Sequence, residues 1–524
     1  MSAFDRRSFL QLCSAAAASF ASPSGFAQSQ SGSPEPAPSV PGQYEAMPAP
    51  RVSRGHVNNR KNLVAIQVRG YAWIDEGVEP ILENIQNKGD VNTVWAYTFG
   101  YGETRLRKDG PIPLPDHGKS GDTITGGAFY AYDPKYFRDT ILRDFRSPDY
   151  GDFNVIEQAA PNAHARGMSF FAWDLNNAGP ILNKVIANYA EVSEIDVYGR
   201  RTNAACFNNP DYQAFLRGKV ESLLLGYPSE VDGIAWGSER MGPLDYMIAG
   251  EGLAVCFCPF CQTKGRAQGI SVERAQTGYR ELTALFDTYK RDQRPDDGYF
   301  VTFLRMLLRY PEILAWETLW MDSFQGVQAQ LYGMAKAIAP EKPFGFHLMQ
   351  NMTFNPFYRA EEDYTRRRNY ADFFKIACYN NAGGPRLAAY IEHMHRTIFH
   401  DVAPEQFMPF FYGIMGYQAA PFDQLASGGL PASYVAEETK RALDQCAGEV
   451  QIYPGIDINV PVLGNDKKSG DKQTSPEDVS RSIHAAFGAG AQGVVLSREY
   501  VEMYLANLTA AGNTLREVFA AEKS

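Results

Sequence analysis

From residue 61 onward, short runs rich in β-branched and aromatic residues alternate with longer stretches that have helical periodicity. The clearest runs number eight and lie at residues 63–68, 93–98, 168–173, 231–236, 344–349, 373–379, 450–456 and 493–496. This alternation predicts parallel strands joined by helical crossovers, and eight such strands close a (β/α)8 barrel. Residues 406–412 are a ninth strand candidate, which could displace one of the last three.

Two long intervals interrupt the alternation. Residues 100–160 contain loop sequence rich in Pro and Gly, and residues 241–342 contain a group of cysteines followed by helical sequence. Both intervals follow the carboxyl ends of predicted strands, where barrels of this type carry their functional loops. The predicted fold is therefore α/β, a (β/α)8 TIM barrel domain at 56–524 with long insertions after strands 2 and 4.

The N-terminus has the features of an export signal. Arg6 and Arg7 stand in the pattern DRRSFLQ, ahead of a weakly apolar, alanine-rich run at residues 12–21. This pattern predicts a twin-arginine signal peptide at 1–27, followed by a disordered linker at 28–55 that is rich in Ser, Pro and Gln. The apolar run is too short for a membrane span. We therefore expect a periplasmic or secreted protein without an integral membrane span.

The charge pattern argues against a nucleic-acid partner. The formal net charge is −10, and the Lys and Arg residues are scattered rather than grouped into a basic surface. No organic cofactor is expected either. The glycines at 488–493 match GxGxxG, but they follow a helical stretch and precede a strand, the reverse of the order in dinucleotide-binding motifs.

Four cysteines form a candidate metal site. Cys256, Cys258 and Cys261 lie within six residues of one another, and Cys206 can supply a fourth thiolate. This spacing is typical of a closed structural zinc site, so Zn²⁺ is the predicted metal. Disulfides are the alternative in an oxidising compartment, although Cys256 and Cys258 are too close to pair comfortably. Unligated thiols are a third possibility.

A wider pattern around these cysteines resembles a known family. The stretches CFNNPDY at 206–212, GSE at 237–239 and CFCPFC at 256–261 resemble, in order and spacing, the catalytic barrel of family 42 glycoside hydrolases. The resemblance implies a β-galactosidase-like glycosidase that acts on a carbohydrate substrate, and the N-terminal signal adds the expectation that this glycosidase is exported. It also implies that Glu239 is the acid/base catalyst and that the four cysteines bind zinc. The family has Asn where this chain has Ser238, which puts recognition of the sugar 2-hydroxyl in question.

The second catalytic carboxylate has two candidates, with the alternative that neither of them fills the role. The family places a Glu at the end of strand seven, where this chain offers Asp457, and Glu499 after the last strand is the competitor. The resemblance favours a retaining mechanism, in which the two carboxyl groups stand ~5–5.5 Å apart, over an inverting one. Burial beside Trp236 is expected to raise the pKa of Glu239 toward neutrality. The alternative function is a barrel that binds carbohydrate without hydrolysing it.

Other predicted strand ends supply rings and polar groups that suit a sugar site. The predicted substrate-binding residues are Arg69, Trp73, Tyr97, Trp173, Asp174, Asn176, Trp236, Ser238, Arg240, His347, Asn351, Tyr379 and Asn380.

Overall fold

The computed structural model describes residues 62–100, 103–104, 115–118, 123–177, 179, 182–291, 293–461 and 470–521. The predicted signal peptide at 1–27 and the predicted linker at 28–55 lie outside these residues. Among the described helices, none combines the length and the hydropathy that a membrane span requires.

Eight parallel strands close into a barrel, as predicted. They are β1 Leu63–Val68, β2 Thr93–Gly100, β3 Ser169–Leu175, β4 Gly233–Gly237, β5 Phe344–Leu348, β6 Phe373–Ala377, β7 Gln451–Asp457 and β8 Gly493–Ser497. Each strand pairs with the next along the chain, and β8 pairs with β1. Gly127–Ala128 adds a short antiparallel strand beside β2, and Glu103–Thr104 with Thr123–Ile124 and Ser193–Ile195 with Arg201–Ala205 form two small antiparallel sheets.

Helices surround the barrel and fill its long connections. The α-helices are Gly70–Asp75, Val78–Asn87, Val155–Ala165, Leu182–Val185, Tyr189–Val192, Pro210–Gly226, Pro243–Ile248, Pro259–Ala267, Val272–Thr288, Tyr299–Arg309, Glu312–Ile338, Asn351–Phe354, Pro356–Glu361, Tyr364–Arg367, Asn380–Thr397, Pro404–Met415, Phe422–Gly428, Ala432–Cys446, Pro476–Gly488 and Leu505–Ala521. Short 3₁₀ helices occur at Pro134–Phe137, Pro148–Tyr150, Tyr289–Arg291, Arg368–Tyr370 and Tyr500–Glu502.

Large side chains from some strands fill the barrel opposite glycines on others. The Trp95 ring packs 5.7 Å from that of Trp173 and 5.6 Å from that of Phe373. A Cβ atom at Gly345 would lie 2.5 Å from a ring carbon of Phe373, and one at Gly233 would lie 2.7 Å from the Phe171 ring. Interiors of this kind are packed cores rather than pores, so a large residue on one strand requires a small one on its neighbour.

The predicted insertions after β2 and β4 are present, and a third long connection joins β6 to β7. It contains four of the helices, from Asn380–Thr397 to Ala432–Cys446. The ninth strand candidate, residues 406–412, was wrong because it lies inside the helix Pro404–Met415. The buried residues of that helix, Phe407, Met408, Phe411 and Met415, recur at helical spacing. Pro404 at its start and the left-handed Gly416 after its end match helix boundaries.

The insertion after β4 contacts this third connection through Asp401. One carboxylate oxygen of Asp401 accepts from Arg294 Nε at 2.6 Å, and the other accepts from the backbone N–H of Tyr299 at 2.7 Å. The Phe300 and Phe399 rings stack nearby, with centroids 5.0 Å apart. Two segments about 100 residues apart in the chain are therefore joined.

Candidate active site at the carboxyl end of the barrel

Glu239 lies two residues after β4. Its Oε1 accepts from His347 Nε2 at 3.0 Å, and its Oε2 accepts from Asn177 Nδ2 at 2.6 Å. The side-chain oxygen of Asn177 in turn accepts from the backbone N–H of Glu239 at 2.6 Å, so one amide fixes both ends of the residue. The side chain of Glu239 nevertheless remains 40% exposed, whereas that of His347 is 3% exposed.

The electrostatics of Glu239 differ from the expectation. Burial raises its pKa, but the hydrogen bond and charge of His347, the hydrogen bond from Asn177 and the charge of Lys375 together lower the pKa of Glu239 to about 2. The predicted rise toward neutrality was therefore wrong. Its assumed cause is also missing, because Trp236 packs against Phe324 and Phe346 rather than against the carboxylate. Glu239 is ionised at neutral pH.

Glu499, two residues after β8, is held by side chains. Arg69 donates to its Oε1 and forms an ion pair with its Oε2, and the Tyr97 hydroxyl also donates to Oε1 at 2.7 Å. The side chain of Glu499 is 1% exposed. A series of ring contacts leads from this pair toward Glu239, since Trp173 lies 6.0 Å from Tyr97 and 5.6 Å from His347 between centroids.

Asp457, at the end of β7, is held mainly by backbone. Its Oδ2 accepts from Ala382 N at 2.7 Å, and its Oδ1 accepts from Val460 N at 3.0 Å and from Thr474 Oγ1 at 2.9 Å. The residue is fully buried, and burial raises its pKa despite these donors. The carboxylate therefore fixes the start of the helix Asn380–Thr397 to the loop that follows β7.

Several predicted substrate-binding residues have their polar groups engaged within the protein. Asp174 and Asn176 both accept from the buried amine of Lys219, and Arg240 pairs with the buried Glu194. Ser238 donates to the carbonyl of Asn176, and the Asn380 amide bonds Leu430 and Ser482. Asn351 donates to the sulfur of Met241, while Trp73 is buried in the helix after β1.

The structure adds two residues that the sequence interpretation missed. Asn177 follows the predicted Asn176 directly, but only its side chain contacts Glu239. Lys375 is fully buried on β6, in register with His347 on β5, and its amine donates to the Tyr379 hydroxyl. Burial, together with the charges of Arg386 and Arg498, lowers the pKa of Lys375 to about 7. The sequence signal that could have identified Lys375 was a lysine inside the otherwise apolar run FFKIA.

The four predicted cysteines converge on one point. All four are buried, and their Sγ atoms lie within 4.8 Å of one another. Cys206 Sγ is 3.5 Å from Cys258 Sγ and 3.4 Å from Cys261 Sγ, too far for a disulfide. Backbone N–H groups of Ile195 and Asn208 point at Cys256 and Cys206. The cluster could hold a metal ion. Cys378 and Cys446 are separate buried free thiols.

Solved structures share the barrel at low sequence identity. A β-galactosidase from the haloarchaeon Halorubrum lacusprofundi is similar with a TM-score of 0.50 and 13% identity, over 87% of this chain and 58% of that one. A β-galactosidase from Marinomonas ef1 gives 0.49 and 11%, over 88% and 60%. An α-L-fucosidase isoenzyme 2 from Paenibacillus thiaminolyticus gives 0.44 and 11%, over 88% and 50%.

The chain therefore spans 50 to 60% of the length of these three proteins. No family model and no curated protein matches it. What the likeness establishes is the fold, a closed eight-stranded parallel barrel of the kind found in glycoside hydrolases.

Proposed function

We propose that the protein is a glycoside hydrolase that acts through Glu239 at the carboxyl end of the barrel. The observation that carries the proposal is the accessibility of this carboxylate. Its side chain is 40% exposed, whereas Glu499 is 1% exposed and Asp457 is fully buried. Its position after β4 agrees with the resemblance to family 42 glycoside hydrolases, and active sites of such barrels form at this end.

The charge state of Glu239 bears on its role. A general acid must hold a proton at the working pH, and a group with a pKa of about 2 does not. As a carboxylate, Glu239 suits attack on the anomeric carbon or stabilisation of a positively charged transition state. The acid/base role implied by the resemblance would require bound substrate to displace His347 or Asn177, because these donors keep the pKa low.

Glu499 is the better candidate for the second carboxylate. Its partners Arg69 and Tyr97 are side chains, and Tyr97 packs on Trp173, which also contacts the His347 that holds Glu239. Asp457 is bound by two backbone N–H groups, which makes it a structural residue in this proposal.

A barrel that binds carbohydrate without hydrolysing it is the second candidate. It is favoured by the engagement of both other acids, since Glu499 is paired with Arg69 and Asp457 with backbone donors. In that case Glu239 would accept hydrogen bonds from sugar hydroxyls, with Trp173 and Tyr97 nearby.

Hydrolysis of α- and β-linked para-nitrophenyl glycosides tests the proposal. We expect turnover by the wild-type protein and a loss of at least about 1,000-fold in kcat in Glu239→Gln. The matched control is Glu83→Gln, an exposed glutamate on the helix Val78–Asn87, which should retain full activity. Oligosaccharide binding without any turnover would support the second candidate instead. Turnover that persists in Glu239→Gln would refute the assignment of this residue.

We also propose zinc as the metal of the cysteine cluster. Four thiolates at Zn–S distances of about 2.3 Å lie about 3.8 Å apart in a tetrahedron, close to the sulfur separations of 3.4 and 3.5 Å found here. Cys206, Cys256, Cys258 and Cys261 would be the ligands of a closed site with a structural role. Export through the twin-arginine signal is proposed as well, on the sequence pattern at 5–11 alone.

A further inference from the structure

Two cationic side chains flank one tyrosine at the carboxyl end of the barrel. Arg386, on the helix Asn380–Thr397, has its guanidinium carbon 5.7 Å from the centroid of the Tyr379 ring. The Lys375 amine lies 4.8 Å from the same centroid and donates to the Tyr379 hydroxyl. Lys375 lies in register with His347, which bonds the proposed catalytic carboxylate Glu239, and the charge of Glu239 acts on both cations.

Arg386 and Lys375 have neutral hydrogen-bond partners, whereas four other cationic side chains near the barrel mouth have carboxylate partners. Arg69, Arg240, Lys219 and Arg498 each form an ion pair with a carboxylate, respectively Glu499, Glu194, Asp174 and Glu502. Arg386 instead donates to the neutral amide oxygen of Gln350 at 2.8 Å. Within the described part of the chain, neither Arg386 nor Lys375 forms an ion pair with a carboxylate.

The two nearby acids, Glu239 and Asp457, have their carboxylates bonded to other groups. Glu239 is bonded to His347 and Asn177, and Asp457 is bonded to backbone N–H groups and Thr474. Burial and the charge of Arg498 lower the pKa of Arg386, and burial with the charges of Arg386 and Arg498 lowers that of Lys375. Both cations are thus disfavoured in the ligand-free protein, and a bound anion would stabilise them.

The position of Arg386 is set before any ligand arrives. The amide of Gln350 donates to the backbone carbonyl of Tyr379 at 2.6 Å and accepts from Arg386 through its oxygen. This leaves the remaining N–H groups of Arg386, a partly exposed residue, for a ligand. A guanidinium presents paired donors that match the two oxygens of a carboxylate.

On the basis of the proposed function, we infer that the substrate is an acidic carbohydrate, whose uronic acid carboxylate is bound by Arg386 with support from Lys375. Neutral sugars offer no negative charge to these cations. The site would therefore discriminate between a uronide and the matching neutral glycoside mainly through one carboxylate. The whole chain carries a formal charge of −10, so attraction of an anionic substrate depends on this local arrangement.

Paired substrates test the inference on the wild-type protein. We expect kcat/KM for para-nitrophenyl glucuronides or galacturonides, in the α or β series, to exceed that for the matching glucosides or galactosides by about 10- to 100-fold, the range expected for one charge-assisted hydrogen-bonded pair. Equal or better turnover of the neutral glycosides would overturn the inference while leaving the proposed hydrolase intact.

Variants of Arg386 provide the second test. Arg386→Gln should lower kcat/KM for the uronide by about 10- to 100-fold and change that for the neutral glycoside less than about 3-fold, while Arg386→Lys should retain part of the preference. The matched control is Arg396→Gln, an exposed arginine on the same helix that pairs with Glu392. Equal losses on both substrates in Arg386→Gln would contradict the inference.

Binding separates this inference from the hydrolase proposal. Calorimetric titration of Glu239→Gln with glucuronate and galacturonate, and with glucose and galactose as controls, requires no turnover. Tighter binding of the uronates, abolished in Glu239→Gln/Arg386→Gln, would support the inference even if the wild-type protein were inactive. Absence of uronate binding, or equal binding of the neutral sugars, would count against it.

Discussion

At the scale of single residues, the proposed site depends on which hydrogen-bond donors surround Glu239. Asn177 and His347 each donate to one of its oxygens. Burial and the charge of Lys375 lower the pKa of His347 to about 4, so this imidazole is neutral at pH 7 and donates as a neutral group. An ionised Glu239 beside a neutral His347 is therefore the resting state at neutral pH.

Removing one donor should change the titration of Glu239. In Asn177→Ala the pKa of Glu239 is expected to rise by about 1, because one hydrogen bond to the charged form is lost. The acid limb of the profile of kcat/KM against pH should move upward by the same amount. Asn162→Ala, on the helix Val155–Ala165 where this amide bonds the carbonyl of Gln158, is the control. An unchanged acid limb would show that the limb reports another group.

Lys375 should make stability depend on pH in a defined direction. Its pKa is about 7 when folded, against an ordinary value of 10.5, so between these values the unfolded chain holds a proton that the folded protein lacks. Its contribution to stability therefore falls as the pH drops from 10.5 to 7 and stays low below 7. Lys375→Met removes this loss of stability at low pH, because Met carries no charge.

The gain in unfolding free energy from Lys375→Met should be about 2–3 kcal/mol larger at pH 6 than at pH 9. Denaturant unfolding at both pH values measures the difference. Lys440→Met, at an exposed lysine, is the control and should give the same small change at both. A gain that does not depend on pH would contradict the low pKa.

Sequence alone could predict Glu239 but not its surroundings. Glu239 ends a buried run, and its neighbourhood matched a family pattern, so its place at the barrel mouth followed from chain order. Asp174, Asn176 and Trp236 stand equally close to strand ends, yet they pack outward against helices. Which residues turn inward depends on strand bounds to within one residue, because side chains alternate between faces. The partners of Lys375 and Arg386 depend on contacts between distant segments.

At the scale of elements, the eight strands were predictable because buried parallel strands are short apolar runs bounded by turns. The helix Pro404–Met415 was misjudged because its aromatic residues favour strands by intrinsic preference. Its helical spacing and its Pro and Gly boundaries were also present in the sequence, and packing of one face decided the outcome. Three glycines inside the strands are a further element-level feature, since Gly233, Gly237 and Gly345 face the aromatic rings of Phe171, Trp173 and Phe373 on neighbouring strands.

A methyl group at Gly345 should therefore disturb the barrel. Gly345→Ala places Cβ against the backbone carbonyl oxygen of Phe373 and 2.5 Å from a carbon of its ring, and we expect a loss of about 1–3 kcal/mol of unfolding free energy. Gly326→Ala is the matched control, because this helical glycine has open space around it and should gain about 0.4–1 kcal/mol. Chemical denaturation of both variants measures the contrast. Similar stability of the two would mean that the barrel interior adjusts without cost.

At the scale of the whole molecule, the cysteine cluster joins segments on both sides of β4. Cys206 precedes the helix Pro210–Gly226 and β4, and the other three cysteines follow β4. In the chain, the strand that leads to Glu239 therefore lies between the first ligand of the proposed metal site and the other three. Metal loss should then affect both the stability of the fold and the position of Glu239.

The metal prediction can be checked directly. The purified protein should contain about one zinc per chain, and Cys256→Ser should lose the metal and lower the melting temperature by about 5 °C or more. Cys446→Ala, at a buried thiol outside the cluster, should keep the metal. Elemental analysis and thermal unfolding provide the two measurements. A metal-free wild-type protein with two disulfides by mass spectrometry would refute the zinc site.

Export is tested on the full-length chain in a host with a twin-arginine pathway. Replacing Arg6 and Arg7 by Lys should block export and leave the precursor in the cytoplasm, whereas the control change of Arg51 and Arg54 to Lys should not. Cell fractionation with mass spectrometry of the mature N-terminus reports both outcomes. Normal export of the Arg6/Arg7 variant would exclude this route.

The bridge through Asp401 has a practical consequence for engineering. Because Asp401 holds Arg294 and the first turn of the helix Tyr299–Arg309, the segment 241–342 is not a portable module. Excising it would remove the Phe300 ring that stacks on Phe399. It would also remove the two donors to the Asp401 carboxylate, Arg294 Nε and the backbone N–H of Tyr299. A minimal barrel built from this chain would have to redesign the connection between β6 and β7 at the same time.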